Sequence, residues 1–266
     1  MTLMTHEDLP HEGHHYSMAR PTALAYRVIA RLIRLALKCV AKFTWGGAEH
    51  LPAHGGFIAA ANHASNVDPL TLAEFLFDHG FEPRILAKRS LFTTPVIGWI
   101  MRSTQMIPVD RGTSKAGQSL KDAGREISAG DCVAIFPEGT LTRDPDLWPM
   151  VGKTGLARLA LTTKVPVIPI AQWGATNILG RYSKVLKPIP RKKVTIVAGP
   201  AVDLSDLYDK PMDSAVLREA TSRVMDAITA LLEPIRGEQA PSPRFDLRQH
   251  PDYVPKRRIY PPVDRP

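Results

Sequence analysis

The chain has 266 residues, 44% of them apolar and 23% charged, which excludes disorder by composition and a polytopic membrane protein and leaves room for one large core. Thirty-four Lys and Arg against 26 Asp and Glu give a net charge of +8, a balance that favours an anionic partner: nucleic acid, a phosphorylated small molecule or an acidic membrane surface. The two cysteines, Cys39 and Cys132, stand far apart in apolar surroundings, which argues against a disulfide framework and a cysteine zinc site and for a reducing compartment.

Residues 1–20 form a polar leader. It carries Glu7, Asp8 and Glu12 but no apolar core of the kind a secretory signal needs, and His11, His14 and His15 suggest weak surface metal affinity at most. From 21 to 44 the pattern predicts an amphipathic helix. Arg27, Arg31, Arg34, Lys38 and Lys42 recur at steps of 4, 3, 4 and 4, which on 3.6 residues per turn makes one cationic stripe. Leu24, Val28, Leu32 and Leu35 supply apolar surface elsewhere. Such a helix suits a membrane interface, or it docks on its own domain with a solvated basic face. No window approaches 18 consecutive apolar residues, so a spanning helix is not expected.

Beyond it, β-rich runs at 57–61, 84–88, 105–109, 132–136, 165–171 and 194–198 alternate with helical patterns, the signature of an α/β layer structure. Asp68-Pro69 opens a helix over 69–79, with Asp as a natural cap and Pro at the first helical position. Ser114 and Gly130 bracket another over 115–129, and Leu217, Ala220, Val224, Ile228 and Leu231 put one apolar stripe on a helix from about 213 to 232. The segment 237–266 holds seven prolines and predicts extended, disordered or irregularly packed chain. The body, 21–236, is one domain.

The first chemical signal, Asn62-His63-Ala64-Ser65-Asn66-Val67-Asp68-Pro69, follows the run 57–61, and a strand end is where α/β proteins present functional side chains. On a continuous helix, His63 and Asp68 would be separated by about 140°, so they can meet only across a bend. There, the carboxylate would hold one imidazole nitrogen and leave the other as a base for a substrate hydroxyl. A capping Asp and a satisfied core His would look the same in isolation. No nucleophile elbow, His-Glu-x-x-His, P-loop or Gly-x-Gly-x-x-Gly is present to support hydrolase, zincin or nucleotide-fold readings. The second signal, Phe136-Pro137-Glu138-Gly139-Thr140-Leu141-Thr142-Arg143, follows the run 132–136, and its Pro and Gly bend the chain to present Glu, Thr and Arg. Lys88, Arg111 and Lys153 add cations at or after other strands.

Taken in order, these residues resemble the glycerolipid acyltransferase family typified by 1-acylglycerol-3-phosphate acyltransferases. Asn62-His63 through Asp68 is similar to its Asn-His-x4-Asp motif, and Lys88-Arg89-Ser90-Leu91 with Pro95 and Gly98 to Lys-x2-Leu-x3-Pro-x2-Gly. Val109-Asp110-Arg111 resembles the arginine segment that follows, Phe136 to Thr140 the third motif, and Val165-Pro166-Val167-Ile168-Pro169 the fourth. The resemblance implies transfer of a fatty acyl group from acyl-CoA or acyl carrier protein to a glycerolipid hydroxyl. By carry-over His63 is the general base and Asp68 its orienting partner. Glu138, Gly139 and Thr140 belong to the acceptor-binding motif, and Lys88, Arg111 and Arg143 hold the acceptor phosphate. One departure bears on the acceptor: where many members have Arg after Phe-Pro-Glu-Gly-Thr, this chain has Leu141, with arginine two positions later at Arg143.

The expectation is a single α/β domain with a mixed, largely parallel central sheet flanked by helices, plus an N-terminal amphipathic membrane-interface helix. It would work at the cytoplasmic face of a membrane, esterifying a lysophospholipid, with 1-acylglycerol-3-phosphate favoured and another lysolipid or a glycolipid as the alternative acceptor. No metal or bound cofactor is required, and the acyl thioester is a co-substrate. A nucleic-acid partner is not expected, because zinc-finger spacing, RNP-like aromatics and basic-aromatic interleaving are all absent. A catalytically idle lipid-binding adaptor is the remaining rival, and the intact His63, Asp68 and Glu138 argue for the enzyme.

Overall fold

The computed structural model describes residues 4–5, 24–110, 116–250 and 253. Its strands, in chain order, are β1 (Met4–Thr5), β2 (Ala41–Gly46), β3 (Phe57–Ala61), β4 (Arg84–Lys88), β5 (Ile107–Val109), β6 (Cys132–Ile135), β7 (Val167–Trp173) and β8 (Lys192–Ala198). The helices are α1 (Leu24–Val40), α2 (Asp68–Asp78), α3 (Pro95–Ser103), α4 (Ala116–Ser128), α5 (Gly155–Thr163), α6 (Ala175–Ile178) and α7 (Ser214–Arg236). The strands make one mixed sheet in the order β1-β2-β8-β7-β3-β6-β4-β5, parallel except where β1 meets β2 and β7 meets β8.

Strand β3 lies between β7 and β6, with Ala59 opposite Ile168 on one side and Ala134 on the other. Both its faces are covered, which is why the run is apolar throughout rather than alternating. Phe57, Ala59 and Ala61 point into a core shared with Phe43, Trp45, Leu72 and Phe75; Ile58 and Ala60 point into a second core with Leu156, Val224 and Ile228. Helices α1 and α2 therefore cover one face of the sheet, and α4, α5 and α7 the other. Helix α7 is capped by Asp213, whose carboxylate accepts from Ala215 N at 2.7 Å and Val216 N at 2.9 Å, and runs past Leu232 to Arg236.

The helix expected over 21–44 stops at Val40; residues 21–23 lie outside the described residues. Ala41–Gly46 instead forms β2, paired in parallel with β8. The cause is in its side chains: Phe43, Thr44 and Trp45 favour extended backbone, and Ala41, Phe43 and Trp45 alternate into the core while Lys42 faces out. Lys42 thus leaves the helical stripe. Helix α1 docks through Tyr26, Ile29 and Leu37, and Arg34 turns inward to pair with Asp78 and, at 3.1 Å, with Glu74. Leu24, Val28, Leu32 and Leu35 stay exposed along its outer side. Among the described residues no helix is long and apolar enough to cross a membrane. The tail packs irregularly against the body as far as His250: Phe245 O accepts from Val151 N at 2.9 Å, and Arg244 pairs with Asp226 at 2.7 Å.

Candidate active site

The C-terminal end of β3 is anchored before the site begins. Asn62 Nδ2 donates to Gln172 O at 2.9 Å, Gln172 N donates to Asn62 Oδ1 at 2.8 Å, and Gln172 Nε2 donates to Asn62 O at 3.1 Å. Both side chains are buried, so this network ties the ends of β3 and β7 together and sets where the next residue emerges. That residue is His63.

The chain then turns, and Asp68 comes back to meet it. Asp68 Oδ2 lies 3.1 Å from His63 Nδ1 and accepts from Ala64 N at 2.5 Å and Ser65 N at 2.6 Å. The capping role that the sequence offered for Asp68 is not what the structure shows. Val67 is the N-cap of α2, Asp68 is the first helical residue, and its carboxylate points back into the 63–65 turn. Three donors on one oxygen hold a buried carboxylate in place and direct it at the imidazole. The His63 ring stacks on Phe136 with centroids 4.3 Å apart and planes inclined by 27°, which leaves Nε2 as the nitrogen able to exchange a proton with a substrate.

Glu138 reaches the same residue from the end of β6. Its Oε1 accepts from the His63 backbone N–H at 2.8 Å and its Oε2 from Met150 N at 3.1 Å, and the residue is 0% exposed. Acceptor binding, the role implied for Glu138, needs a side chain that a ligand can touch; this one is a buried brace between the histidine and the 141–150 loop. Burial pushes its carboxyl up to about 8, against the lowering effect of the bonds from Met150, His63 and Thr142. Thr142 completes the contact, donating its backbone N–H to His63 O at 2.6 Å.

Gly139 occupies the left-handed region at φ 69°, and a Cβ there would lie 2.9 Å from Lys153 Cδ, so the turn requires glycine and brings Lys153 across it. Thr140 and Arg143 are half-buried on the same loop, and Arg143 Nε is buried without a hydrogen-bond partner among the described residues. Lys88 is exposed at the end of β4, on the same edge of the sheet but separated from β3 by β6, and is not brought against His63. Arg111 lies outside the described residues.

A model of the acyltransferase family matches residues 42–173, the stretch that contains all of this geometry. Over 152 residues the chain is 30% identical to the 1-acyl-sn-glycerol-3-phosphate acyltransferase of Bacillus subtilis, an alignment covering 57% of this chain and 73% of that enzyme. The chain belongs to the glycerolipid acyltransferase family. It is also 33% identical over 135 residues to the chloroplastic 1-acyl-sn-glycerol-3-phosphate acyltransferase BAT2 of Brassica napus, which spans 50% of this chain but only 38% of that relative. In fold it is similar to the crystal structure of the 1-acyl-sn-glycerophosphate acyltransferase PlsC from Thermotoga maritima, with a TM-score of 0.58 at 21% identity, over 81% of this chain and 83% of that one.

Within this acyltransferase, one cation beside the site had no signal in the motifs. Arg181, after α6, donates from Nη1 to Thr142 O at 2.9 Å and Asp144 O at 2.6 Å, tying down the loop that contacts His63. Ser65 Oγ donates to Leu179 O at 2.6 Å from the other side of the same turn. Neither contact has a sequence signature, because each joins residues more than 35 positions apart.

Proposed function

We propose that this acyltransferase moves a fatty acyl group from a thioester, acyl-CoA or acyl carrier protein, to the free hydroxyl of a lysophospholipid, 1-acylglycerol-3-phosphate before other acceptors. The observation that carries the reading is the His63–Asp68 pair at 3.1 Å, held at a strand end by buried backbone donors. No serine or cysteine stands in hydrogen-bonding contact with the imidazole among the described residues, so the pair is built to activate a hydroxyl that the substrate brings. His63 Nε2 takes the proton of that hydroxyl as its oxygen attacks the thioester carbonyl, and Asp68 stabilises the resulting imidazolium. Collapse of the tetrahedral intermediate breaks the C–S bond. The thiolate then recovers the proton from His63, leaving an ester and a free thiol.

Arg143 and Lys153, on the chain between β6 and α5, would hold the acceptor phosphate together with Lys88 from the end of β4, two strands from His63, and Arg111, which follows β5 in sequence. The exposed Leu24, Val28, Leu32 and Leu35 of α1, flanked by Arg31 and Lys38, support attachment at the cytoplasmic face of an anionic membrane. The names of the Bacillus and Brassica relatives support the acceptor class. The test is transfer of labelled palmitoyl from its CoA or carrier-protein thioester to lysophosphatidic acid and a panel of lysolipids and glycolipids. Wild type should acylate one acceptor class, and His63→Ala should fall by about 10²–10⁴-fold. Equal rates for the two proteins would remove His63 from the reaction; transfer to a different acceptor would correct the substrate.

A further inference from the structure

The chain from Arg181 to Lys193 reads Arg-Tyr-Ser-Lys-Val-Leu-Lys-Pro-Ile-Pro-Arg-Lys-Lys, with six basic side chains and no acidic one. None of the acyltransferase motifs uses it. In the structure its three aliphatic side chains point outward: Val185 is 65% exposed, Leu186 53% and Ile189 87%. Single exposed apolar residues are ordinary, but three within five positions, each beside a lysine or a proline, make a patch. Among the described residues no carboxylate lies within ion-pair distance of Lys184, Lys187, Arg191, Lys192 or Lys193.

This loop is not loosely hung. Leu179 and Leu186 form an antiparallel bridge, Lys187 N donates to Ile178 O at 2.8 Å, and Ser183 N donates to Gly180 O at 2.8 Å. Pro188 and Pro190 restrict the backbone further. Its position ties two regions together. At one end Arg181 grips Thr142 O, one hydrogen bond from His63, and at the other the Arg191 guanidinium donates to Ala41 O at 2.8 Å, where α1 passes into β2. The loop therefore spans from the end of α1 to the segment that contacts His63.

We infer that residues 184–193 are a second membrane-docking element, seating the catalytic end of the sheet on an anionic bilayer. Val185, Leu186 and Ile189 enter the acyl boundary, and Lys184 and Lys187 stay at the level of the lipid phosphates, their stems lying along the apolar side chains. Because the loop is already ordered, little conformational entropy is lost on docking. The arrangement would let an acceptor slide from the leaflet to His63 without leaving lipid. The inference rests on the lipid-acceptor reading for its purpose, but its test uses binding alone.

The experiment is partition of the full chain onto phosphatidylcholine vesicles with and without phosphatidylglycerol. Val185→Ser with Leu186→Ser and Ile189→Ser should lower partition onto the anionic vesicles by at least ten-fold, with the melting temperature unchanged since all three are exposed. Lys184→Gln with Lys187→Gln should lower it by about five-fold per lysine, and the loss should shrink at high salt. The Ile189→Trp variant, read as its fluorescence difference from wild type, should shift its emission to the blue and be quenched by brominated lipid. Wild-type partition by the triple variant, or a difference emission from Ile189→Trp that vesicles do not change, would overturn the inference. So would lysine variants that lose affinity for an acidic carrier protein while still binding vesicles, which would reassign the loop to a protein partner. Vesicle binding that depends on the loop in a protein that transfers no acyl group would uphold the docking surface and remove the proposed reaction.

Discussion

Replacing Asp68 separates two jobs that one carboxylate oxygen performs. Asp68 Oδ2 accepts from Ala64 N and Ser65 N at 2.5 and 2.6 Å and faces His63 Nδ1 at 3.1 Å. In Asp68→Asn, an amide oxygen placed at the Oδ2 position keeps both backbone bonds, and only the charge is lost. Unit charges 3.1 Å apart in a medium of effective dielectric ~20 attract by about 5 kcal/mol, an upper limit on what the imidazolium loses in the transition state. At ~1.4 kcal/mol per factor of ten this allows a fall in kcat of up to roughly 10³–10⁴-fold with little change in stability. Asp68→Ala also strands two buried N–H groups, each costing about 1–3 kcal/mol, and the melting temperature should fall by roughly 5–20 °C besides. The assay is palmitoyl transfer from the thioester to lysophosphatidic acid, run beside a thermal melt of each variant. An Asn variant that keeps more than a tenth of wild-type activity would refute the electrostatic role. An Ala variant that melts with wild type would refute the structural one.

Two further outcomes follow from the buried carboxyls. In Glu138→Gln one of the two backbone donors now held by the carboxyl oxygens, His63 N or Met150 N, would face an NH2 group. The loss should appear as a lower melting temperature, by about 1–3 kcal/mol of stability, and a lower kcat at unchanged KM, because Glu138 positions His63 rather than touching the acceptor. Burial raises the carboxyls of Glu138 and Glu74 to about 8 and about 7, although Arg34 pulls Glu74 down. For acids with raised folded values, the native state binds more protons than the unfolded chain over that range. Their stabilising effect is complete below the ordinary carboxylate value near 4.5 and is lost as pH rises through about 7 and about 8. Melting temperatures should therefore decline from pH 5 to pH 8.5, and Glu74→Gln should flatten the part below about 7; a wild-type melt that rises over that window would contradict the assignment.

Much of this architecture was legible in the chain because it is local. The run 57–61 is apolar at every position, the mark of a strand covered on both faces, and it is β3 with those bounds. Leu217, Ala220, Val224 and Ile228 recur at helical steps, and they are the buried stripe of α7. The family was legible for a related reason: its motifs sit immediately after strands, where a few adjacent residues carry the chemistry. The boundary at Val40 was not. Basic and apolar residues continue at helical spacing through Lys42, and only pairing with β8, about 150 positions further along, pulls Ala41–Gly46 into the sheet. Strand β2 gains more from ladder hydrogen bonds and two buried aromatics than another turn of helix would supply.

Residue types and their order thus determined which groups are present: a histidine with an aspartate five positions on, a glutamate at a Pro-Gly turn, and a surplus of cations. What each does was decided by distance in three dimensions. Asp68 faces His63 because two backbone N–H groups of the intervening turn draw its carboxylate inward rather than onto the helix end. Glu138 braces His63, instead of lying open to a ligand, because β3 and β6 pair in parallel and bring their ends side by side. Arg181 could not be singled out from the chain at all, since a guanidinium that grips two carbonyls about 40 residues away has no local pattern to announce it.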